Sequence, residues 1–213
     1  MNSILLIIII ITAVISYIGF QNPEVFQKYK FEVGAIQRRK EYIRLISAGF
    51  LHADWLHLIL NMYVLYAFSP IILQVFGLVG FLIIYLGSII LGNLFCLYVY
   101  RNVPFYSAIG ASGGVSGLIF AAVALAPMQI EIWFMPGFIF GTLYFAYSVY
   151  MMLNPRINDN IGHAAHLGGA FFGLVYCVVI FPEFAMQNAV YIGIMALPLI
   201  YLAYQVFVNK KIG

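Results

Sequence analysis

Gly110-Ala111-Ser112-Gly113-Gly114 stands at the head of an apolar stretch and decides how the rest of the chain is read. The residues that follow, through Leu118, Ile119, Phe120, Val123 and Leu125, carry no charge, so Ser112 sits at or inside a membrane. A polar side chain at that depth is costly and marks a functional position by default. The four histidines fall in only two other places: His52 and His57, just before Asn61, and His163 with His166.

The composition fits that reading. Of 213 residues, 64% are hydrophobic and 8% charged, with a mean hydropathy of +1.01. A soluble domain carries roughly 25% charged residues, and a globule of this size has too little interior to hide so much apolar surface. The chain reads as one polytopic membrane domain over residues 1–213. The net charge of +3 is carried by few residues, with no dense basic patch interleaved with aromatics, which excludes a nucleic-acid partner. Cys96 and Cys177 lie in apolar runs, without CxxC spacing, and read as small buried hydrophobes. The apolar start, Ser3 to Phe20, has no basic leader and no small-x-small cleavage site, so a retained first helix is expected.

Segments of about 20 apolar residues, enough to cross a bilayer, fall at roughly 3–20, 54–73, 76–99, 112–130, 132–152, 163–182 and 188–208. The expected architecture is all-α: a six-helix core over 1–182 with a long first loop at 21–53, and one additional C-terminal transmembrane helix within 183–213. Turns are expected at Ser69-Pro70, Ala126-Pro127, Asn154-Pro155 and Phe181-Pro182. The first loop holds six of the ten Lys and Arg residues, and its tail, Arg38 to Phe50, is expected to lie along the interface as an amphipathic piece. With seven spans, all ten basic residues fall on one face, the face toward which Ser112, His57 and His166 also sit. The positive-inside rule alone makes that face cytoplasmic.

His57 and Asn61 are four apart and share a helix face. Either alone reads as helix glue; together, near the same surface as Ser112, they offer two hydrogen-bond donors to a common point, as an oxyanion requires. His52 precedes them at the helix mouth. Gly169 and Gly173 follow His166 as a small-xxx-small stripe, and Gly113, Gly117 and Ala121 follow Ser112 as another. If the stripes pack, Ser112 and His166 meet, giving a nucleophile and its base. Asp54 and Asp159 lie near water, so the reading is a dyad with helix packing orienting His166. There is no HExxH and no cofactor or metal is implied; a histidine-based metal transporter is the weaker alternative.

Three separated motifs resemble the rhomboid family of intramembrane serine proteases: His52-x4-His57-x3-Asn61, Gly110-Ala111-Ser112-Gly113, and Ala165-His166-Leu167-Gly168-Gly169. They occur in that family's order, on the second, fourth and sixth spans, and the likeness covers about residues 40–180. The resemblance implies a rhomboid-type bundle with one helix added, Ser112 as nucleophile, and His166 rather than His163 as general base. It implies an oxyanion site of His57, Asn61 and the Ser112 N–H. His52, Gly110, Gly113, His163, Gly169 and Gly173 would be supporting, and Arg44 matches the arginine of the family's Trp-Arg motif. The tryptophan of that motif is Ile43 here, with Tyr42 beside it. The tyrosine that some members carry one turn after the nucleophile, stacked on the base, is Ser116, so Phe172 or another aromatic is expected to hold the base. Access from lipid is expected at the fifth span, rich in Phe134, Phe138, Phe140, Tyr144 and Phe145. Asn154, Asn158 and Asn160 would make the loop side polar. By the same resemblance the partners are single-span membrane-protein substrates within a lipid bilayer, and the site faces outward from a bacterial cytoplasmic membrane. A catalytically silent client-binding relative is the alternative.

Overall fold

The computed structural model describes residues 3–155 and 161–209. Its helices are α1 (Ser3–Gln21), α2 (Pro23–Tyr29), α3 (Val33–Arg39), α4 (Arg44–Ser47), α5 (Trp55–Val99), α6 (Ser112–Leu125), α7 (Gly137–Leu153), α8 (His163–Ile180), α9 (Pro182–Gln187) and α10 (Ala189–Phe207). Two short antiparallel pairs join β1 (Phe31–Glu32) to β2 (Ser107–Ala108) and β3 (Glu131–Ile132) to β4 (Met135–Pro136). The fold is an all-α membrane bundle, with α1, α5, α8 and α10 each long and apolar enough to cross a bilayer.

The 45 residues of α5 form two arms, 55–76 and 78–99. The chain reverses at Gly77, whose φ of 67° and ψ of −175° are open in practice only to glycine. A Cβ there would meet nothing, so the requirement is for the backbone and not for room. This corrects the expected turn at Ser69-Pro70: Pro70 lies inside the first arm, and Ser69 Oγ donates to the Leu65 carbonyl at 2.5 Å. Proline is tolerated within membrane helices.

At the centre is α6, all but three of its 14 residues buried. A helix of that length rises about 21 Å, short of a hydrocarbon core of about 30 Å; surrounded by protein, it has no need to cross. The spans expected at 112–130 and 132–152 are both trimmed. Pro127 follows the last turn of α6, and 131–136 forms a hairpin whose turn residues, Trp133 (φ 51°) and Phe134 (φ 62°), are strongly exposed. Phe134 thus lies before the fifth membrane helix, α7. The seventh, α10, packs along α7, with Met195 against Gly141 and Tyr191 against Phe138.

The first loop is folded into short helices. Asn22 Oδ1 caps α2 by accepting from the N–H groups of Glu24 and Val25. Arg44 is buried, donating to the carbonyls of Gln27 and Lys30 at 2.8 and 2.7 Å and to Glu41 at 2.6 Å. The guanidinium of Arg39, with that of Arg44, holds the Glu41 carboxyl below the usual range. The basic residues 38–40 are exposed and Arg44 is not, so the tail has no single amphipathic face.

Candidate active site

Close backbone-to-backbone packing builds the site. A methyl group on Gly169 would overlap the Gly113 carbonyl, and one on Gly173 the Gly117 carbonyl. The two small-residue stripes therefore meet backbone to backbone, as Sequence analysis anticipates. Above that seam, Ser112 at the first turn of α6 faces His166 one turn into α8. His166 Nε2 and Ser112 Oγ are 2.6 Å apart, a distance that permits proton transfer. Ser112 N–H belongs to the first turn of α6, whose amides have no intrahelical acceptor and carry the positive end of the helix dipole.

The segment leading into α6 is held by the first loop. Phe31 pairs with Ala108, the Val33 and Gly34 amides donate to the Tyr106 and Pro104 carbonyls, and the Gly110 N–H donates to the Ala48 carbonyl at 2.9 Å. Gly110 has a φ of 115°, and a Cβ on it would lie 2.8 Å from His57 Nε2 and 3.7 Å from Ser112 Oγ. Glycine is favoured here on both counts: the backbone conformation strains any side chain, and the space belongs to the His57 ring.

Hydrogen bonding fixes the histidine tautomers. The Ala53 N–H points at His57 Nδ1 at 3.4 Å, which leaves the proton on Nε2, the nitrogen over Gly110. Asp54 caps α5 by accepting the His57 N–H at 2.7 Å. The Ala111 N–H donates to His52 Nε2 at 3.3 Å, so His52 Nδ1 carries the proton and donates to Ser16 Oγ at 2.9 Å; Ser16 in turn donates to the Phe50 carbonyl. Burial, reinforced by the neighbouring His57, pushes His52 down to about 3, which keeps it a neutral acceptor. The His52 ring also stands edge-on to His57 at 4.9 Å. His52 was expected only as support near the helix mouth; its partner on α1 lies 36 residues upstream and no local spacing announces it.

Of the other expected residues, Asn61 is buried on the His57 side of α5, its Nδ2 donating to the His57 carbonyl at 2.9 Å. His163 is buried edge-on to Tyr147 and His166. Phe172 packs over Gly87 on α5, so of the expected Phe172 or another aromatic beside His166, the structure gives another ring. The ring that lies along His166 is Tyr144 of α7, nearly parallel at 23° with centroids 6.4 Å apart. Tyr42 and Ile43, at the place of the tryptophan motif, are both exposed. Asp159, Asn158 and Asn160 lie outside the described residues. A cavity of about 680 Å³, lined by Lys30, His57, Tyr106, Ser107 and His163 among others, lies on the loop side of this group.

Comparison with known proteins agrees with this architecture. The model of the rhomboid domain matches residues 39–183. The human mitochondrial presenilin-associated rhomboid-like protein is 33% identical over 141 residues, covering 62% of this chain and 36% of its own length. YdcA of Bacillus subtilis (strain 168), whose name includes the words rhomboid protease, is 32% identical over 135 residues, 63% of this chain and 65% of its own. The chloroplast rhomboid-like protein 11 of Arabidopsis thaliana is 30% identical over 172 residues, 70% and 57% of the two chains. The chain thus spans less than two thirds of each of these relatives. With the domain matched from the first loop to the end of α8, the chain belongs to the rhomboid family.

Proposed function

We propose that the chain is an intramembrane serine endopeptidase that cuts single-span membrane proteins. The observation that carries this reading is the 2.6 Å approach of His166 Nε2 to Ser112 Oγ across a glycine seam. His166 takes the Ser112 proton at Nε2 as Oγ attacks the peptide carbonyl. The oxyanion receives hydrogen bonds from Ser112 N–H, His57 Nε2–H and the Asn61 amide, at the positive end of α6. Donors fixed in place before the charge develops stabilise it without reorganisation. The proton on His166 then passes to the leaving amine, and water from the loop-side cavity hydrolyses the acyl-enzyme with His166 again as base. A substrate helix must first unwind, because a helical amide is hydrogen-bonded and shielded; helix-breaking residues near the cut bond ease this.

The test is cleavage of a model single-span substrate in liposomes by wild type, Ser112→Ala and His166→Ala, with a chelator present. Loss of cutting in both variants, with folding retained, supports the dyad; cutting that survives Ser112→Ala overturns it. A wild type that binds the helix without cutting is the result for a client-binding relative. We further place the site on the outer side of a bacterial cytoplasmic membrane. A reporter fused at the C-terminus and found in the cytoplasm would reverse that orientation.

A further inference from the structure

Tyr144 is held from two sides. Its hydroxyl shares a 2.6 Å hydrogen bond with Ser116 Oγ on α6, one turn after Ser112. Its ring is boxed by Phe120 at 5.3 Å and Phe140 at 5.8 Å and lies alongside the His166 imidazole. Leucine at this position would serve for packing alone. The buried hydroxyl pair gives this side chain one orientation, and in it the ring lies 23° from parallel to the His166 imidazole with centroids 6.4 Å apart. Aromatic rings at this separation attract one another and resist rotation.

From this geometry we propose that Tyr144 is a positioning residue for His166, so that the alignment of the base depends on where α7 stands. The proposal rests on the reading of His166 as general base. The ring comes from α7 while nucleophile and base come from α6 and α8, so a third helix enters the alignment. Gly141, one turn before Tyr144, is the place where Met195 of α10 bears on α7. The ring beside the base is thereby set between the Ser116 hydroxyl on one flank and α10 on the other.

The experiment compares kcat and KM on the model substrate for Tyr144→Phe, Tyr144→Leu, Ser116→Ala and the relocated pair Ser116→Tyr with Tyr144→Ala. In the same detergent samples, the His166 imidazole resonance is followed by NMR after assignment with His166→Asn. Losing the ring in Tyr144→Leu is expected to lower kcat on the order of 10- to 100-fold, the scale for a misplaced catalytic group, with KM nearly unchanged. Tyr144→Phe and Ser116→Ala, which lose only the hydroxyl pair, fall a few-fold. The relocated ring on α6 restores much of the loss. The His166 resonance moves in Tyr144→Leu and stays in Tyr144→Phe. An unchanged kcat in Tyr144→Leu, a change in KM alone, or a resonance that does not move overturns the proposal. Failure of the protease reading has a different signature, no Ser112-dependent cutting by wild type, and the NMR comparison still decides whether Tyr144 orients the ring.

Discussion

Gly110→Ala separates the cost of folding from the cost of chemistry. At a φ of 115° an alanine is strained, at about 1–3 kcal/mol of stability. Its methyl would stand 2.8 Å from His57 Cε1 and Nε2, whereas carbon atoms rest about 3.5–4.0 Å apart. The imidazole must therefore retreat by roughly 1 Å, and because it is the end of a side chain it yields more readily than backbone. A displacement of that size costs on the order of 100-fold in rate, and complete loss of one oxyanion donor about 100- to 1,000-fold. The expected result is a protein that is folded, with a modestly lowered melting temperature, and about 100-fold slower in kcat on a single-span substrate. The control is the same substitution in a His57→Ala background, where no ring remains to be displaced. There Gly110→Ala should add little beyond its strain. Equal 100-fold losses in both backgrounds, or full kcat in the single variant, would refute the reasoning.

Other consequences can be checked in the same system. Gly169→Val drives a branched side chain into the Gly113 carbonyl, and should abolish cleavage and cost about 1–3 kcal/mol by overpacking, read by activity and thermal melting. Because His52 is held at about 3 while an unfolded histidine titrates near 6.5, the unfolded chain gains a proton first as pH falls. The stability this site supplies is full above pH 6.5 and declines by about 1.4 kcal/mol per unit down to about pH 3; melting curves of His52→Gln should lack that part of the slope. Arg44→Met strands the Gln27 and Lys30 carbonyls while Glu41 keeps Arg39, at about 1–3 kcal/mol for the lost hydrogen bonds, and should loosen the first loop toward limited proteolysis.

The meeting of Ser112 with His166 was legible because it follows from period and residue size. Two stripes of small residues, each starting just after a reactive side chain, have one close-packed arrangement, and that arrangement brings the side chains together. The turn between the arms of α5 was misplaced because proline is the stronger signal in sequence, yet in an apolar helix it is accommodated; the reversal needed a positive φ, which only Gly77 supplies cheaply. Arg44 could be matched by motif but not by environment, since its carbonyl partners lie 14 and 17 residues upstream in a loop without periodicity. Tyr144 stood out only as part of an aromatic helix. Which of its rings turns inward to the base depends on how α7 is rotated against α6, and a helix apolar on every face carries no stripe to fix that rotation.

The glycine seam has a consequence for how the surrounding lipid acts. With no side chain between α6 and α8, there is nothing in the gap to compress or to switch rotamer. The separation of the two helices is then set by non-bonded backbone contact and should change little as acyl-chain length or lateral pressure changes. The outer helices α1 and α10 are largely unburied and should take up such strain instead. On the protease reading, thicker or thinner bilayers should thus alter how readily a substrate enters more than they alter the Ser112–His166 spacing.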